Sequence, residues 1–341
     1  MRKSISFPES NGATGRAEST FLVTREVRRE ADGISSFRFE RADGGTLEAW
    51  EPGAHLDFTL PSGLTRQYSL CGDPSDDRTY LVAVLDQPEG RGGSREFHSS
   101  IALGATIEVR GPRNHFPLVD AESYLFIAGG IGITPILPMA RAVAAAGKRW
   151  RVVYGGRTTE SMAFLEELRQ LQGDTDFVPE SSRGRIDLAG ALAAAPAGTQ
   201  IYCCGPEPLL RAVEECCANH ANVGALHFER FGSARLPGDS TPRADDAGAT
   251  SGLARFEVEL ASTGTTVVVD EGDSILDRVL EVVPGWPWAC REGYCGSCEA
   301  RVVEGEPEHR DDVLTDEERA SNAVMMICVG RSCSPRLVLD I

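Results

Sequence analysis

The sequence predicts a multidomain protein: an antiparallel β-barrel, then an α/β parallel-sheet domain, then a small α+β module. Three observations carry this. In the first third, short apolar runs are separated by Gly, Pro and Asp turns, the texture of a small antiparallel barrel. From about residue 120, apolar strands alternate with helical stretches, which implies a parallel sheet covered on both faces. Residues 232–252 are rich in Gly, Ala, Ser, Pro and Asp with almost no large apolar residue, so they read as a linker to a further module.

The barrel strands are expected around Phe21–Val23, Ser36–Phe39, His55–Leu60 and Tyr80–Leu85. In the parallel-sheet part, Tyr124–Ala128 is a short strand, followed by a Gly-rich turn and a helix over Pro135–Ala146. Trp150–Tyr154 is a second strand, Ser161–Leu171 a helix, Thr199–Cys203 a strand and Pro208–Ala218 a helix. After the linker, Ala254–Leu260 and Thr265–Val269 alternate like a hairpin. Ser274–Val283 reads as a helix capped by Asp273 or Ser274, and Arg336–Ile341 closes the chain as a strand. The expected organisation is a polar tail at 1–20, a barrel at 21–120, an α/β domain at 121–231, a linker at 232–253 and the last module at 254–341. No internal repeat is visible.

With 341 residues the chain has room for two or three domains, and its 41% hydrophobic and 25% charged residues are those of a globular protein. The net charge of −17 argues against non-specific binding to nucleic acid or to an anionic membrane, both of which need a basic surface. No apolar run approaches a membrane span, and Met1 to Thr20 lacks the apolar core of a secretory signal, so the expected compartment is the cytoplasm. The acidity is uneven. Residues 254–341 hold 18 Asp and Glu against 8 Arg, a net −10.

Ten cysteines in such a chain do not read as a disulfide framework. Cys290, Cys295 and Cys298 stand as Cys-Arg-Glu-Gly-Tyr-Cys-Gly-Ser-Cys, the C-x4-C-x2-C spacing of plant-type [2Fe–2S] sites, with Cys328 as the distant fourth thiolate. Gly293 and Gly296 let the loop turn tightly around a cluster. A structural zinc site usually shows two separated C-x2-C pairs, and only one is present. Cys333 is the competitor for the fourth position. Cys328 is preferred because it sits in the apolar run Val324–Val329.

The first two domains carry phosphate and ring chemistry. Arg66, Tyr68 and Ser69, in Arg-Gln-Tyr-Ser-Leu at a strand end, offer a flavin a cation, an aromatic and a polar edge group. The turn Gly90-Arg91-Gly92-Gly93-Ser94 presents backbone N–H groups and a hydroxyl to an anion, although a plain surface turn has the same composition. In Ala128 to Pro135, Gly129, Gly130 and Gly132 let a pyrophosphate approach the start of a helix, with Thr134 at the cap and Pro135 at the first helical position. The ordinary G-x-G-x-x-G pattern is absent, and a purely structural βα turn is the competing reading. Cys204, Gly205 and Pro206 end a later strand and should face the same crevice. Cys204 is placed beside the nicotinamide or, alternatively, is a buried small residue. Phe231, ending His-Phe-Glu-Arg-Phe, is core or a flavin-stacking ring.

Taken in order, these motifs resemble the phthalate dioxygenase reductase family, to which the vanillate demethylase reductases are similar. Asn114 to Leu118 and the Met-Met-Ile-Cys-Val-Gly-Arg run belong to the same resemblance, which extends from about residue 20 to the C-terminus. Arg230 departs from it, as does Tyr154-Gly155-Gly156-Arg157 beside the expected adenosine ribose. The resemblance implies a β-barrel flavin domain, a nucleotide domain and a ferredoxin-like (β-grasp) module. It implies FMN, NADH as donor, and a separate terminal oxygenase, of the Rieske non-haem iron type, as acceptor. Thr134 and Cys204 then line the nicotinamide, with Phe231 on that flavin face until the nicotinamide displaces it. Arg157 is the residue that favours NADPH instead. Two rivals remain: an FAD-dependent reductase serving a cytochrome P450 or a diiron monooxygenase, and a flavin reductase carrying a redox-sensing or zinc-binding module.

Overall fold

A computed structural model describes residues 19–88, 92–220, 223–231, 253–311 and 313–341. Gly90 and Arg91 of the Gly-rich turn, most of the expected N-terminal tail and the stretch 232–252 lie outside the described residues. The chain divides into two compact units, Met1–Phe231 and Gly232–Ile341.

The first unit opens with β1 (Thr20–Ala31), β2 (Ile34–Arg41), β3 (Ala54–Thr59), β4 (Thr65–Ser69), β5 (Tyr80–Leu85), α1 (Gly93–Ser100) and β6 (Thr106–Asn114). Their order is β4-β3-β6-β1-β2-β5, and every pairing is antiparallel. A bridge between Leu70 and Val82 joins the two ends of this sheet and closes it into a barrel. Alternation fixes its interior: Ala54, Leu56 and Phe58 of β3 enter a core with Phe37, Phe39, Val82 and Phe97.

The same unit continues with β7 (Ser123–Gly129), α2 (Ile133–Ala145), β8 (Arg149–Gly156), α3 (Leu165–Gln170), β9 (Asp174–Pro179), α4 (Glu180–Arg183), α5 (Leu188–Ala193), β10 (Gln200–Cys204), α6 (Glu207–Ala218) and β11 (Leu226–Glu229). They form a parallel sheet ordered β11-β10-β7-β8-β9. The central strand β7 is buried along its whole length, which explains its unbroken apolar run. Tyr124, Phe126 and Ala128 pack toward α2, and Leu125 and Ile127 pack on the opposite face with residues of α5 and α6. The first of these cores also takes in Ile34, Cys71, Ala83 and Phe116 from the barrel side, so barrel and sheet share one apolar interior. Arg141 of α2 strengthens the join, donating to the carbonyls of Cys71 and Gly72 at 3.0 Å each.

Two helix expectations are corrected. A 3-10 turn at Gly130–Gly132 leads straight into α2, so the helix starts at Ile133 and Gly132 is its cap. Thr134 is inside the first turn, and its hydroxyl donates to the Ile131 carbonyl at 2.9 Å. Pro135 is tolerated there because first-turn N–H groups have no intrahelical acceptor. The helix expected over Ser161–Leu171 is only Leu165–Gln170, since Phe164 before it takes the left-handed backbone (φ 61°) and interrupts it.

The second unit contains β12 (Phe256–Leu260), β13 (Thr265–Val269), α7 (Ile275–Val282), β14 (Glu299–Glu304), β15 (Pro307–Glu308), α8 (Asp316–Ser321), β16 (Val324–Met326), β17 (Arg331–Ser332) and β18 (Arg336–Leu339). Its main sheet is ordered β13-β12-β18-β14-β16, with only the β12–β18 pair parallel. This mixed sheet curls around α7, which supplies Ile275, Leu276 and Val279 to the core. Of the two expected caps Ser274 is the one used, accepting from the Asp277 N–H at 3.0 Å. Among the described residues no helix is long and apolar enough to cross a membrane.

Candidate functional site

The strand order fixes where a ligand can bind in the parallel sheet. From β7 the chain moves outward to β8 and β9, then returns to the other side of β7 as β10 and β11. The reversal lies between β7 and β10, and ligands of such sheets sit at the carboxyl ends of the strands flanking a reversal. The two turns there are Gly129–Thr134 after β7 and Cys204–Pro206 after β10. They pack backbone to backbone. A Cβ on Gly132 would overlap the Cys204 carbonyl and lie 2.7 Å from the Gly205 nitrogen, while one on Gly205 would lie 3.0 Å from the Cα of Gly129. Gly130 is different. Its φ is +54° and nothing lies within 4 Å of a Cβ placed there, so it faces open space.

The barrel meets this crevice through Ser69 at the end of β4. Its hydroxyl donates to Glu229 Oε2 at 3.3 Å, and the Cys204 thiol lies 3.9 Å from the same oxygen. Glu229 reaches this place because β11 pairs with β10 in a register that sets it opposite Cys204. Burial pushes its carboxyl up to about 8, so it is largely protonated at neutral pH. Burial also raises the Cys204 thiol far above its ordinary value, with the Glu229 charge adding to the effect, so it stays a neutral thiol. Glu229 was not among the residues selected from sequence. The available signal was a carboxylate in a strand-like apolar setting, in the His-Phe-Glu-Arg-Phe run.

The other predicted groups fall as follows. Arg66 and Tyr68 are half-buried on β4, and Tyr68 packs edge-on against Phe97 at 4.7 Å, with its hydroxyl pushed upward by burial. The N-terminus of α1 lies against Arg66: a Cβ on Gly93 would overlap the guanidinium Nε and sit 2.8 Å from its Cζ. Glu96 in the first turn of α1 is turned away to Ser62, accepting from its N–H and hydroxyl at 2.7 and 2.6 Å. A helix N-terminus beside a guanidinium is doubly positive, and the geometry fits a phosphate. Gly92 caps the helix with φ 83°, and the Ser94 hydroxyl accepts from the Gln87 N–H at 3.1 Å. Thr134 is buried beneath the β7 turn. Arg157 is exposed past the end of β8, its carbonyl accepting from the Ser181 N–H at 3.0 Å. Phe231 is 41% exposed.

In the second unit Cys290, Cys295, Cys298 and Cys328 are all buried. Cys290 is in hydrogen-bonding contact with both Cys295 and Cys328, and Cys328 with Cys298, which gathers the four sulfurs together. Backbone N–H groups point at them: Glu292 donates to Cys290 Sγ at 3.3 Å and Cys290 to Cys295 Sγ at 3.4 Å, with Ser297 and Gly293 serving Cys295 and Cys328. The loop needs its glycines. Gly293 has φ 77°, and a Cβ on it would lie 2.7 Å from Val329 and 3.1 Å from the Cα of Asp311. The neighbouring Cys290 thiol, and then burial, push the Cys295 thiol far up. A two-iron cluster shares four thiolates between its irons. The donor set therefore fits [2Fe–2S]. Cys333 is half-buried beyond β17, its N–H held by the Glu306 carbonyl at 2.8 Å.

Comparison with known proteins agrees with this division of labour. Residues 126–215 match the oxidoreductase NAD-binding domain family, and residues 258–333 match the 2Fe-2S iron-sulfur cluster binding domain family. Phenoxybenzoate dioxygenase subunit beta of Ectopseudomonas oleovorans is 40% identical over 91% of this chain and 94% of its own length. Phthalate dioxygenase reductase of Burkholderia cepacia is 35% identical over 95% and 98%. A solved phthalate dioxygenase reductase structure superposes with a TM-score of 0.66 at 34% identity, covering 95% of this chain and 98% of that one. An intact type IV self-sufficient cytochrome P450 monooxygenase gives 0.82 at 40% identity; this chain covers only 41% of that longer one. With that extent of similarity, and with four cysteines gathered in the second unit, the protein belongs to the phthalate dioxygenase reductase family of NADH-, FMN- and [2Fe–2S]-dependent oxidoreductases.

Proposed function

We propose that this chain is the reductase of a multicomponent oxygenase: it takes hydride from NADH in the crevice between barrel and parallel sheet and sends single electrons out through the cysteine-bound cluster. The observation that carries the reading is the meeting of Ser69, Glu229 and Cys204 at the sheet's reversal point, in a chain that also gathers four thiols. The flavin, when bound, supplies the change from two-electron to one-electron chemistry.

In this reading Arg66 and the N–H groups of Gly92, Gly93 and Ser94 hold the flavin phosphate, and Tyr68 supports the ring with Phe97 behind it. Gly129, Gly130 and Gly132 admit the dinucleotide backbone, and Gly205 and Pro206 shape the far wall. Thr134 buttresses the turn from beneath. Cys204 lines the nicotinamide pocket as a neutral thiol. Glu229 holds a proton that it can exchange near neutral pH, and Ser69 keeps that carboxyl in place. Phe231 covers the outer side of the crevice when no nicotinamide is there. Arg157 sits at the adenosine end, where it tolerates rather than requires a 2′-phosphate. Cys290, Cys295, Cys298 and Cys328 hold the cluster. The boundaries are a barrel at 21–120, a nucleotide domain at 121–231, a linker at 232–253 and the cluster domain at 254–341.

The acceptor is a terminal oxygenase of the Rieske non-haem iron type, in the cytoplasm, where cysteines that form no disulfide suit the reducing milieu. The similarity to a self-sufficient P450 gives a second reading, in which the acceptor is a haem monooxygenase. Purified protein reduced by NADH under anaerobic conditions and mixed with the oxygenase encoded beside its gene tests both. Substrate turnover by a Rieske oxygenase supports the first reading. Transfer only to a P450 replaces it with the second, and a protein not reduced by NADH overturns both.

A further inference from the structure

Arg230 is the residue of the His-Phe-Glu-Arg-Phe run whose structural setting is most unusual. Its side chain is only 6% exposed. A guanidinium so withdrawn from water is costly unless it is paired, and its two carboxylate partners among the described residues lie on another element. Nε lies 3.3 Å from Glu207 Oε2 and Nη2 3.6 Å from Glu214 Oε2, two carboxylates on one face of α6. The guanidinium carbon also lies 4.1 Å from the centre of the Phe228 ring.

The location explains why this matters. β11 is the edge strand of the parallel sheet, and its ladder to β10 ends at Glu229. Arg230 is the first residue beyond the ladder, so its side chain does the holding that backbone hydrogen bonds do upstream. On one side of it is Glu229, whose carboxyl reaches Ser69 and Cys204; on the other is Phe231. Its anchor α6 follows directly on the Cys204–Pro206 turn and begins at Glu207. The ion pairs therefore tie the end of β11 to the helix that grows out of the nicotinamide wall, and Arg211 braces Glu207 from the same helix at 3.0 Å.

We propose that Arg230 is a positioning residue of the hydride-transfer crevice: through Glu207 and Glu214 it fixes the end of β11 and thereby the placement of the Glu229 carboxyl and the Phe231 ring. This rests on the reading of the crevice as the site of hydride transfer. A shift of about 1 Å in such a group costs up to about a hundredfold in rate. Lysine is a poor replacement for a fork that spans two carboxylates, although it reaches one of them.

The test compares Arg230→Gln, Arg230→Lys and Glu229→Gln in the flavin-loaded full-length protein. Three quantities are measured: the limiting rate of flavin reduction by NADH across pH, the thermal midpoint, and amide hydrogen exchange in the segment 226–231. R230Q is expected to slow reduction about tenfold or more, to displace its pH profile and to raise exchange at 229–231, with R230K recovering part of each. A drop in thermal midpoint with rate, pH profile and exchange all unchanged would overturn the proposal and leave Arg230 a purely structural residue. If E229Q slows reduction and R230Q does not, the proposal fails while the crevice reading stands. If E229Q is reduced at the wild-type rate and with the wild-type pH profile, the Glu229 carboxyl has no part in flavin reduction and the proposal fails; the crevice reading falls only if the flavin-loaded protein is not reduced by NADH. Should R230Q not fold, Glu214→Gln removes one partner at the surface; a smaller displacement in the same direction supports the proposal, and no change in exchange or pH profile refutes it.

Discussion

Replacing Gly132 by Ala probes the crevice at its tightest point. Gly132 has an ordinary helical φ of −62°, so an added methyl meets no backbone strain; the whole effect is contact. The added Cβ would overlap the Cys204 carbonyl and sit 2.7 Å from the Gly205 nitrogen, and all of these neighbours are backbone. Ordinary contact needs about 3.5 Å, so the two turns must part by about 1 Å. Overpacking of this kind costs about 1–3 kcal/mol. At about 2–4 °C per kcal/mol for a unit of this size, the first unit should lose roughly 2–12 °C in thermal midpoint. Cys204 and Glu229 move with the displaced turn, so flavin reduction by NADH should slow as well. Gly130→Ala is the control. There the φ of +54° carries the cost and no atom lies within 4 Å, so about 1–2 kcal/mol, or roughly 2–8 °C, is expected. Differential scanning calorimetry and stopped-flow absorbance on both variants decide the matter. If G132A melts no lower than G130A and is reduced at the wild-type rate, the two turns are not in the tight contact on which the crevice depends.

Cys328→Ser should bleach or destabilise the visible iron–sulfur absorbance while Cys333→Ser should not, and the reverse pattern would move the fourth ligand to Cys333. Glu229 is an acid raised to about 8 by burial; the fold favours its neutral form, so the stability it contributes is full below the ordinary carboxyl value of 4.5 and is lost as pH rises to about 8. The thermal midpoint of Glu229→Gln should accordingly gain on wild type over that window, and parallel curves would show that the carboxyl is not held neutral. A chain ending at Phe231 keeps all three cores of the first unit and should bind FMN and be reduced by NADH, yet fail to drive the oxygenase; turnover at the full-length rate would mean that the cluster is not the exit route. With 18 carboxylates against 8 Arg in residues 254–341, electron transfer to the oxygenase should slow as the Debye length shrinks from about 10 Å at 0.1 M salt to about 3 Å at 1 M, and a rate indifferent to salt would rule out charge-guided docking.

The sequence by itself determined whatever depends on neighbours along the chain. C-x4-C-x2-C with its glycines is a local loop, and its ligand chemistry is legible from spacing. The glycine turn after β7, the strand alternation of the barrel and the helix begun at Ser274 are equally local. Near-misses arose where two local signals competed: Thr134 and Pro135 read as a helix start, but the 3-10 turn before them had already begun the helix. Only the tertiary structure decided how distant pieces meet. Ser69 and Glu229 are 160 residues apart and touch because the barrel closes at β4 and β11 adds to the sheet's edge in one register. Glu229 looks like an ordinary strand carboxylate until that register buries it, and burial then gives it a proton to hold at neutral pH. The same holds for Arg230, whose partners are defined by where α6 packs. Spacing along a chain fixes which groups a loop can bring together; register and packing across it fix which charges leave water, and those are the groups whose chemistry changes.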